Sequence, residues 1–197
     1  MSYWDPIPTV WACVEGEPLP GLSEWVPAYN HSWDACPDVW QERNWRNVPG
    51  PFYGAMTDSC WVGRGVAPDH ILYDDEYGLE FVYRQPRTPE ETHRVMAAAW
   101  QDPMEGFQCD GDERWTPELV REWWRDRGRV REWAVALDRT WSVSKDEDED
   151  EDEREAAGGA RAYVAYIDDG LADYLRGYLF WLAERRPPAA DEPLPKL

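Results

Sequence analysis

Tryptophan is the residue that most constrains this chain, because 14 of its 197 residues are Trp. An indole ring carries a large apolar surface and a single N–H donor, and it is costly to leave exposed to water. A chain with so many rings must build a dense aromatic core or present an aromatic surface to a partner. Seven rings lie within residues 1–61, six lie within 100–141, and Trp181 stands alone.

The charge balance narrows the kinds of partner. The formal net charge is −20, and lysine occurs only at positions 145 and 196. A chain this acidic lacks the clustered Lys and Arg that direct binding to nucleic acid needs. It is equally unsuited to adsorb to anionic lipid, so we expect no membrane partner. The expected electrostatic partner is a cationic protein surface or metal cations.

The cysteines and the N-terminal residues bear on location and metal binding. We expect a cytoplasmic protein, since no window of 18 apolar residues occurs and the first residues do not resemble a signal peptide. Cys13, Cys36, Cys60 and Cys109 are then expected to be reduced. Their spacing contains no C-x-x-C pair, so a structural zinc site is not predicted. We predict no metal and no cofactor.

The first 68 residues hold nine of the 17 prolines. Because proline fixes φ and lacks an N–H, long helices are not expected there. We predict short strands near Thr9–Val14 and Phe52–Thr57, and a short helix from Pro37 to about Trp45. Aromatic rings should hold the remaining loops.

A β-hairpin is predicted over residues 70–86. Its strands, His70–Tyr73 and Leu79–Arg84, are rich in β-branched and aromatic residues. Residues 74–78 between them have turn chemistry, and Gly78 can adopt a positive φ.

Helices are predicted for the rest of the chain. Thr88 and Thr116 are each followed by Pro and Glu, which is typical of a capped helix start. We expect the second of these helices to stop at Gly128 and a third to follow over 130–141. Residues 162–186 form the strongest helical segment, with a break expected at 168–170.

These elements together predict an α+β fold. A loop-rich aromatic N-terminal part with a small antiparallel sheet should be followed by three to four packed helices. We expect one domain over 1–186 with an acidic linker at 145–159, and a mobile Pro-rich tail at 187–197.

The acidic linker contains eight consecutive carboxylates in strict alternation. In an extended strand they would recur about every 3.3 Å, close to the interval of about 3.4 Å between phosphates along one DNA strand. Such a run is usually a solvated linker, but it would also suit a mimic of nucleic acid. The predicted binding residues are Asp146, Glu147, Asp148, Glu149, Asp150, Glu151, Asp152, Glu153, Trp123 and Trp124.

Trp123 and Trp124 are adjacent on a predicted helix, where neighbouring side chains point about 100° apart. Both rings therefore cannot lie at the centre of one narrow apolar stripe. A wide buried face between packed layers is the favoured interpretation. Alternatively, one ring lies at the edge of the stripe, where stacking with Arg121, Arg125 or Arg127 is expected.

Residues 54–65 form the most unusual local segment, combining turn glycines with Asp58, Ser59 and Cys60. A catalytic site would require His70 to activate Cys60, with Asp58 or Asp74 orienting the imidazole. Nothing in the spacing enforces that geometry, and a free cysteine is usually a small buried apolar residue.

The function expected from these features is non-enzymatic binding. An acidic, Trp-rich domain without a catalytic motif suits an inhibitor or immunity-type protein that occupies a basic surface of a nuclease or toxin-like partner. A small-molecule enzyme with a Cys60–His70 site is one alternative, and a structural subunit of a larger assembly is another.

Overall fold

The computed structural model describes residues 3–15, 38–142, 151–189 and 191–197. Within these residues the protein has an α+β fold with seven helices and two small antiparallel sheets. The chain forms two compact units, which we call the sheet unit (Trp4–Trp115) and the helical unit (Met1–Tyr3 with Thr116–Leu197). The single domain expected over 1–186 stays a prediction. Among the described residues, no helix is long and apolar enough to cross a membrane.

The sheet unit alternates short helices with two-stranded sheets. Its elements, in chain order, are α1 (Ile7–Val14), a 3-10 turn (Trp40–Glu42), β1 (Tyr53–Gly54), α2 (Val62–Val66), β2 (Ile71–Tyr73), β3 (Glu80–Val82), α3 (Pro89–Gln101), β4 (Phe107–Gln108) and α4 (Gly111–Arg114). Strand β1 pairs with β4, and β2 pairs with β3, both antiparallel. Val10, Ile71, Val82, Met96 and Phe107 are among the residues of its apolar core.

Two predictions for the N-terminal part are wrong. Residues 9–14 belong to helix α1 and not to a strand. Pro8 lies in the first turn, where its missing N–H costs nothing, and Val10 and Cys13 are spaced to face the core. The helix expected up to Trp45 is only the 3-10 turn Trp40–Glu42, and its expected start, like Cys36, lies outside the described residues. The strand expected at 52–57 is confirmed only for Tyr53–Gly54.

The predicted hairpin and helix caps are confirmed. Strands β2 and β3 pair with Leu72 opposite Phe81, and Gly78 has a φ of 71°. Helix α3 begins after Thr88, whose hydroxyl accepts from the Glu91 N–H at 3.1 Å. The Glu91 carboxylate accepts from the N–H of Arg87 at 2.6 Å, one residue before the expected partner.

Polar side chains complete the backbone hydrogen bonding of the sheet unit where regular structure is short. The Gln85 amide donates to the carbonyls of Val48 and Phe52 and accepts from the Phe52 N–H. Asn44 donates to Asp74 at 2.7 Å, and both side chains are buried. Buried polar side chains are tolerated in a core because hydrogen-bond partners replace the water that they lose.

Gly111 lies where two chain segments meet too closely for a side chain. A Cβ built on it would overlap the carbonyl oxygens of Gly50 and Pro51. We expect Gly111→Ala to lower the free energy of unfolding by about 2 kcal/mol, because the backbone must shift to relieve the overlap. Urea denaturation measures the change. Gly65→Ala is the matched control, because nothing lies within 4 Å of its Cβ position. Equal stability of the two variants would contradict the prediction.

The helical unit consists of α5 (Pro117–Trp141), α6 (Glu151–Asp168) and α7 (Leu171–Glu184). Helix α5 begins after Thr116, as predicted, but it continues through Gly128. One glycine costs a helix about 1 kcal/mol relative to alanine. Val120 on one side of Gly128 and Val130 and Ala134 on the other are buried, and their packing favours one continuous helix.

Helix α6 begins within the acidic run. Glu151, Asp152 and Glu153 are helical, so the phosphate-like spacing that an extended strand would give does not apply to these three residues. Residues 146–150 lie outside the described residues. Buried Ala156, Ala157 and Ala160 in α6 let it approach a neighbouring helix closely. The predicted break between α6 and α7 is confirmed at Gly170, whose φ is 106°.

Aromatic rings pack against α7. The Tyr3 ring lies 5.9 Å from Tyr174, 5.2 Å from Tyr178 and 5.5 Å from Trp181, between ring centroids. A side chain on Gly177 would crowd the backbone of Tyr3. In the C-terminal residues, Arg186 forms an ion pair with Glu192 at 2.6 Å. The mobility expected of 187–197 stays a prediction.

Candidate binding surface

One buried carboxylate joins two surface loops of the sheet unit. Asp102 accepts from the N–H groups of Asp58 at 3.0 Å, Met104 at 3.0 Å and Gly106 at 2.7 Å. The Ala55 N–H also donates to the Gly106 carbonyl at 2.9 Å. Loop 55–60 and loop 102–106 are therefore held together as one surface.

The hairpin turn borders the same surface. A Cβ on Gly78 would lie 3.2 Å from the Cβ of Ser59 and 3.4 Å from Nε1 of Trp61. The Trp61 ring stacks on Tyr73 with centroids 3.8 Å apart. We call residues 56–62, 74–78 and 102–106 together the acidic loop surface.

This surface combines exposed apolar side chains with carboxylates. Met56 is 51% exposed, Met104 is 62% exposed and Tyr77 is 67% exposed. The three segments contain six acidic residues and no Lys, Arg or His. Four of the six carboxylates belong to residues that are partly or fully exposed, namely Asp58, Asp75, Glu76 and Glu105. Exposed apolar groups beside exposed carboxylates are typical of a protein-binding surface.

Two residues of the surface adopt a backbone conformation that L side chains rarely occupy. Trp61 has a φ of 62° and Glu105 has a φ of 52°. Such a conformation costs about 1–3 kcal/mol and persists where the surroundings enforce it. Stacking on Tyr73 holds Trp61, and the hydrogen bonds of Asp102 bracket Glu105. These contacts therefore hold the backbone of the acidic loop surface in place at Trp61 and Glu105.

Glu80 is hydrogen-bonded to residues that belong to the acidic loop surface or follow it in the chain. Its carboxylate is buried and accepts from the N–H groups of Gly63 at 3.1 Å and Arg64, and its own N–H donates to the Thr57 hydroxyl at 2.7 Å. Burial raises the pKa of Glu80 to about 7, against the lowering effect of these hydrogen bonds, and the nearby charges of Asp58 and Asp102 raise it further.

The residues of the proposed catalytic site are only partly brought together. Asp58 accepts from the Cys60 N–H at 3.0 Å, and the Cys60 side chain is exposed. His70 is buried, and its Nδ1 lies 3.0 Å from the Arg84 carbonyl oxygen. Burial lowers the pKa of His70. In the part of the chain that the structure describes, no hydrogen bond joins His70 to Cys60, Asp58 or Asp74, so no Cys–His pair is formed.

The two tryptophans predicted to bind lie on α5 in the helical unit, and both are half-buried. The Arg127 guanidinium carbon lies 3.8 Å from the centroid of the Trp124 ring. The expected arginine stacking at the edge of the helix face is therefore present. Of the acidic run, only residues 151–153 are described, in the first turn of α6.

Sequence reasoning missed Met56, Met104 and Tyr77 as exposed groups and Asp102 as the residue that joins their loops. Asp102 precedes Pro103, which signals only the end of a helix. The donors Met104 and Gly106 lie within four residues of Asp102 and are typical of a turn. The Asp58 donor lies 44 residues away, and no local pattern encodes it.

The described residues contain no cluster of His, Cys, Asp and Glu that could hold a metal ion. Comparison of the chain with protein-family models, with curated proteins and with solved structures finds no match. Any inference of function therefore rests on the chemistry of the acidic loop surface itself.

Proposed function

We propose that this protein is a non-enzymatic binding protein of the inhibitor or immunity type that occupies a basic surface of a partner protein. The observation that carries the proposal is the acidic loop surface, on which Met56, Met104 and Tyr77 are exposed among carboxylates and no basic residue. A cationic protein, such as a nuclease or a toxin, is the partner of complementary charge.

The two kinds of side chain have different roles in this proposal. The carboxylates of Asp75, Glu76 and Glu105 attract the partner over distances of about a Debye length, which is about 10 Å at 0.1 M salt. They increase the association rate. Met56 and Met104 lose contact with water in the complex and slow its dissociation. Methionine suits this role because its flexible thioether adapts to the partner's surface.

The acidic run has a supporting role in this proposal. Residues 146–153 add eight negative charges, which increase the long-range attraction to a basic partner. If the partner has a phosphate-binding channel, the protein inhibits it by occupying that channel as a mimic of nucleic acid. The cytoplasmic location expected from the sequence belongs to this proposal as well.

The experiment measures association with a panel of purified basic nucleases and lysozyme by biolayer interferometry, at low and at high salt. The test variant is Asp75→Asn/Glu76→Gln/Glu105→Gln. The control, Glu42→Gln/Asp69→Asn/Glu113→Gln, removes the same number of exposed carboxylates from the sheet unit outside the surface. We expect the test variant to weaken binding about tenfold, or about 1.4 kcal/mol, and the control to weaken it less than about twofold.

The apolar residues are tested in the same assay with Met56→Ser/Met104→Ser. We expect faster dissociation and a nearly unchanged association rate, since contact residues act mainly on dissociation. Equal weakening by the charge variant and its control would show unspecific attraction and overturn the proposal. Failure of every basic protein in the panel to bind at low salt would also overturn it.

A further inference from the structure

Three arginines of the helical unit converge on one cleft. Arg121, Arg125 and Arg127 line a cleft of about 520 Å³ together with Glu118, Trp124 and Leu197. No carboxylate among the described residues lies within ion-pairing distance of these three arginines. Other arginines of the same unit do form ion pairs: Arg131 with Asp168, Arg161 with Asp138, Arg176 with Asp173 and Arg186 with Glu192.

Neutral groups orient two of the three guanidinium groups. Arg127 donates to the Trp124 carbonyl at 2.7 Å and lies over the Trp124 ring. Arg121 donates from Nε to the Lys196 carbonyl at 3.0 Å and from Nη1 to the Pro117 carbonyl at 3.4 Å. Arg125 is exposed and makes no hydrogen bond to a described residue. Two of the three guanidinium groups are therefore held in place at the cleft by neutral groups and not by carboxylates.

The charge of the lining defines the ligand's charge. Three arginine side chains and the Glu118 side chain leave an excess of two positive charges, which the α-carboxylate of Leu197 in the 197-residue chain lowers to one. Glu122 and Asp126 lie beside these arginines along α5, but neither lines the cleft. A phosphate monoester carries a charge of about −1.5 to −2 at pH 7, with three acceptor oxygens. Guanidinium groups bind such oxygens through paired, charge-assisted hydrogen bonds.

The size and the apolar lining define the rest of the ligand. A volume of 520 Å³ is within the range of about 300–1,000 Å³ for small-molecule pockets, and it exceeds what a bare phosphate fills. Trp124 and Leu197 supply apolar surface beside the arginines. We propose that this cleft binds an organic phosphate monoester with an aromatic body.

A second cleft serves as an internal comparison. It measures about 530 Å³ and shares Trp124, Arg125 and Arg127 with the first. Its remaining charged lining consists of Arg131 and three aspartates, Asp168, Asp169 and Asp173. Positive and negative lining groups are equal in number there, so a dianion favours the first cleft. This proposal concerns the helical unit and does not depend on the protein-binding function proposed for the sheet unit.

Isothermal titration calorimetry of the full chain with phenyl phosphate tests the proposal. We expect saturable binding, and a loss of about tenfold in affinity for Arg121→Gln, which removes one charge-assisted pair from the first cleft and leaves the second cleft unchanged. Arg139→Gln is the matched control, because Arg139 is an exposed arginine of the same helix that does not line the cleft. We expect it to bind as the unchanged chain does. Circular dichroism confirms that both variants are folded.

Two further probes distinguish the parts of the ligand. Inorganic phosphate should bind more weakly than phenyl phosphate, because it leaves the apolar lining uncovered. Benzoate should also bind more weakly, because a carboxylate carries only one charge. Absence of phenyl phosphate binding, equal losses in the two arginine variants, or equal affinity for either probe would overturn the proposal.

Discussion

Replacing Asn47 by alanine is expected to lower the free energy of unfolding of the sheet unit by about 2–6 kcal/mol. The Asn47 side chain is 1% exposed, and its amide oxygen and amide nitrogen each make two hydrogen bonds. Its Oδ1 accepts from the N–H groups of Gly54 at 2.9 Å and Val82 at 2.8 Å. Its Nδ2 donates to the carbonyls of Asn44 at 2.6 Å and Gly54 at 2.7 Å.

Alanine would leave these backbone groups without their side-chain partner inside the protein. The carbonyls of Asn44 and Gly54 keep backbone donors, the N–H groups of residues 47 and 44, each at 3.0 Å. The N–H groups of Gly54 and Val82 are left unsatisfied, and because each such group costs about 1–3 kcal/mol, we expect a loss of about 2–6 kcal/mol. The whole stability of a protein is about 5–15 kcal/mol. Hydrogen exchange over residues 44–55 and 80–85 measures the loss locally, and urea denaturation measures it globally.

Two further variants make this measurement specific. Asn47→Asp keeps both acceptor bonds but turns a carboxylate toward two carbonyl oxygens, so we expect a large loss that acidification reduces. Gln101→Ala removes an exposed amide that makes no hydrogen bond to a described residue, and it should leave the stability unchanged. A change of less than about 1 kcal/mol in Asn47→Ala would show that water replaces the lost bonds.

The stability of the sheet unit is expected to fall as the pH rises from about 5 to 8, and Glu80 is the cause. The pKa of Glu80 is about 7 in the folded chain, against an ordinary value of 4.5. Below the ordinary value both states hold the proton, and the contribution to stability is complete. Between the two values only the folded state holds it, so the contribution is lost as the pH rises through 7.

From these two values, Glu80 contributes about 2.5 kcal/mol more to the free energy of unfolding at pH 5 than at pH 8. In Glu80→Gln this contribution is absent at both pH values. Urea denaturation of the two proteins at pH 5 and at pH 8 measures the difference. Glu113→Gln, which changes an exposed glutamate, should follow the unchanged chain at both pH values. Parallel pH profiles for Glu80→Gln and the unchanged chain would contradict the assignment.

The elements that sequence reasoning predicted correctly are those whose hydrogen bonds close within a few residues. The caps at Thr88 and Thr116 satisfy N–H groups of the next turn. The hairpin turn needs a positive φ at Gly78, and the break between α6 and α7 needs one at Gly170. In each case the residue type and its immediate neighbours are sufficient.

The predictions that proved wrong depended on packing. Residues 9–14 have β-forming composition, but burial of Val10 and Cys13 favours a helix. Gly128 is a helix breaker by propensity, but α5 continues because the residues around it are buried. Tertiary contacts outweigh propensity when several apolar side chains are buried by the same element.

In the candidate sites, too, some features can be recognised in the sequence, and others arise only from contacts between distant segments. Residues 54–65 stand out in the sequence by composition, and Trp124 stands out by its position beside Trp123. The sequence cannot show that Asp102 joins loop 55–60 to loop 102–106, because that bond spans 44 residues. Nor can it show which arginines lack ion pairs, since pairs such as Arg131 with Asp168 form between helices.

The amino-acid sequence by itself determined the acidity of the chain, its α+β composition, its helix caps and its turns, because these depend on residue type and on neighbours within one turn. Only the tertiary structure decided which apolar and charged side chains share a surface. Met56, Met104 and Tyr77 come to one surface, and Arg121, Arg125 and Arg127 come to one cleft without an ion pair to a described residue. Contacts between distant segments, selected by loop closure and core packing, produce both arrangements.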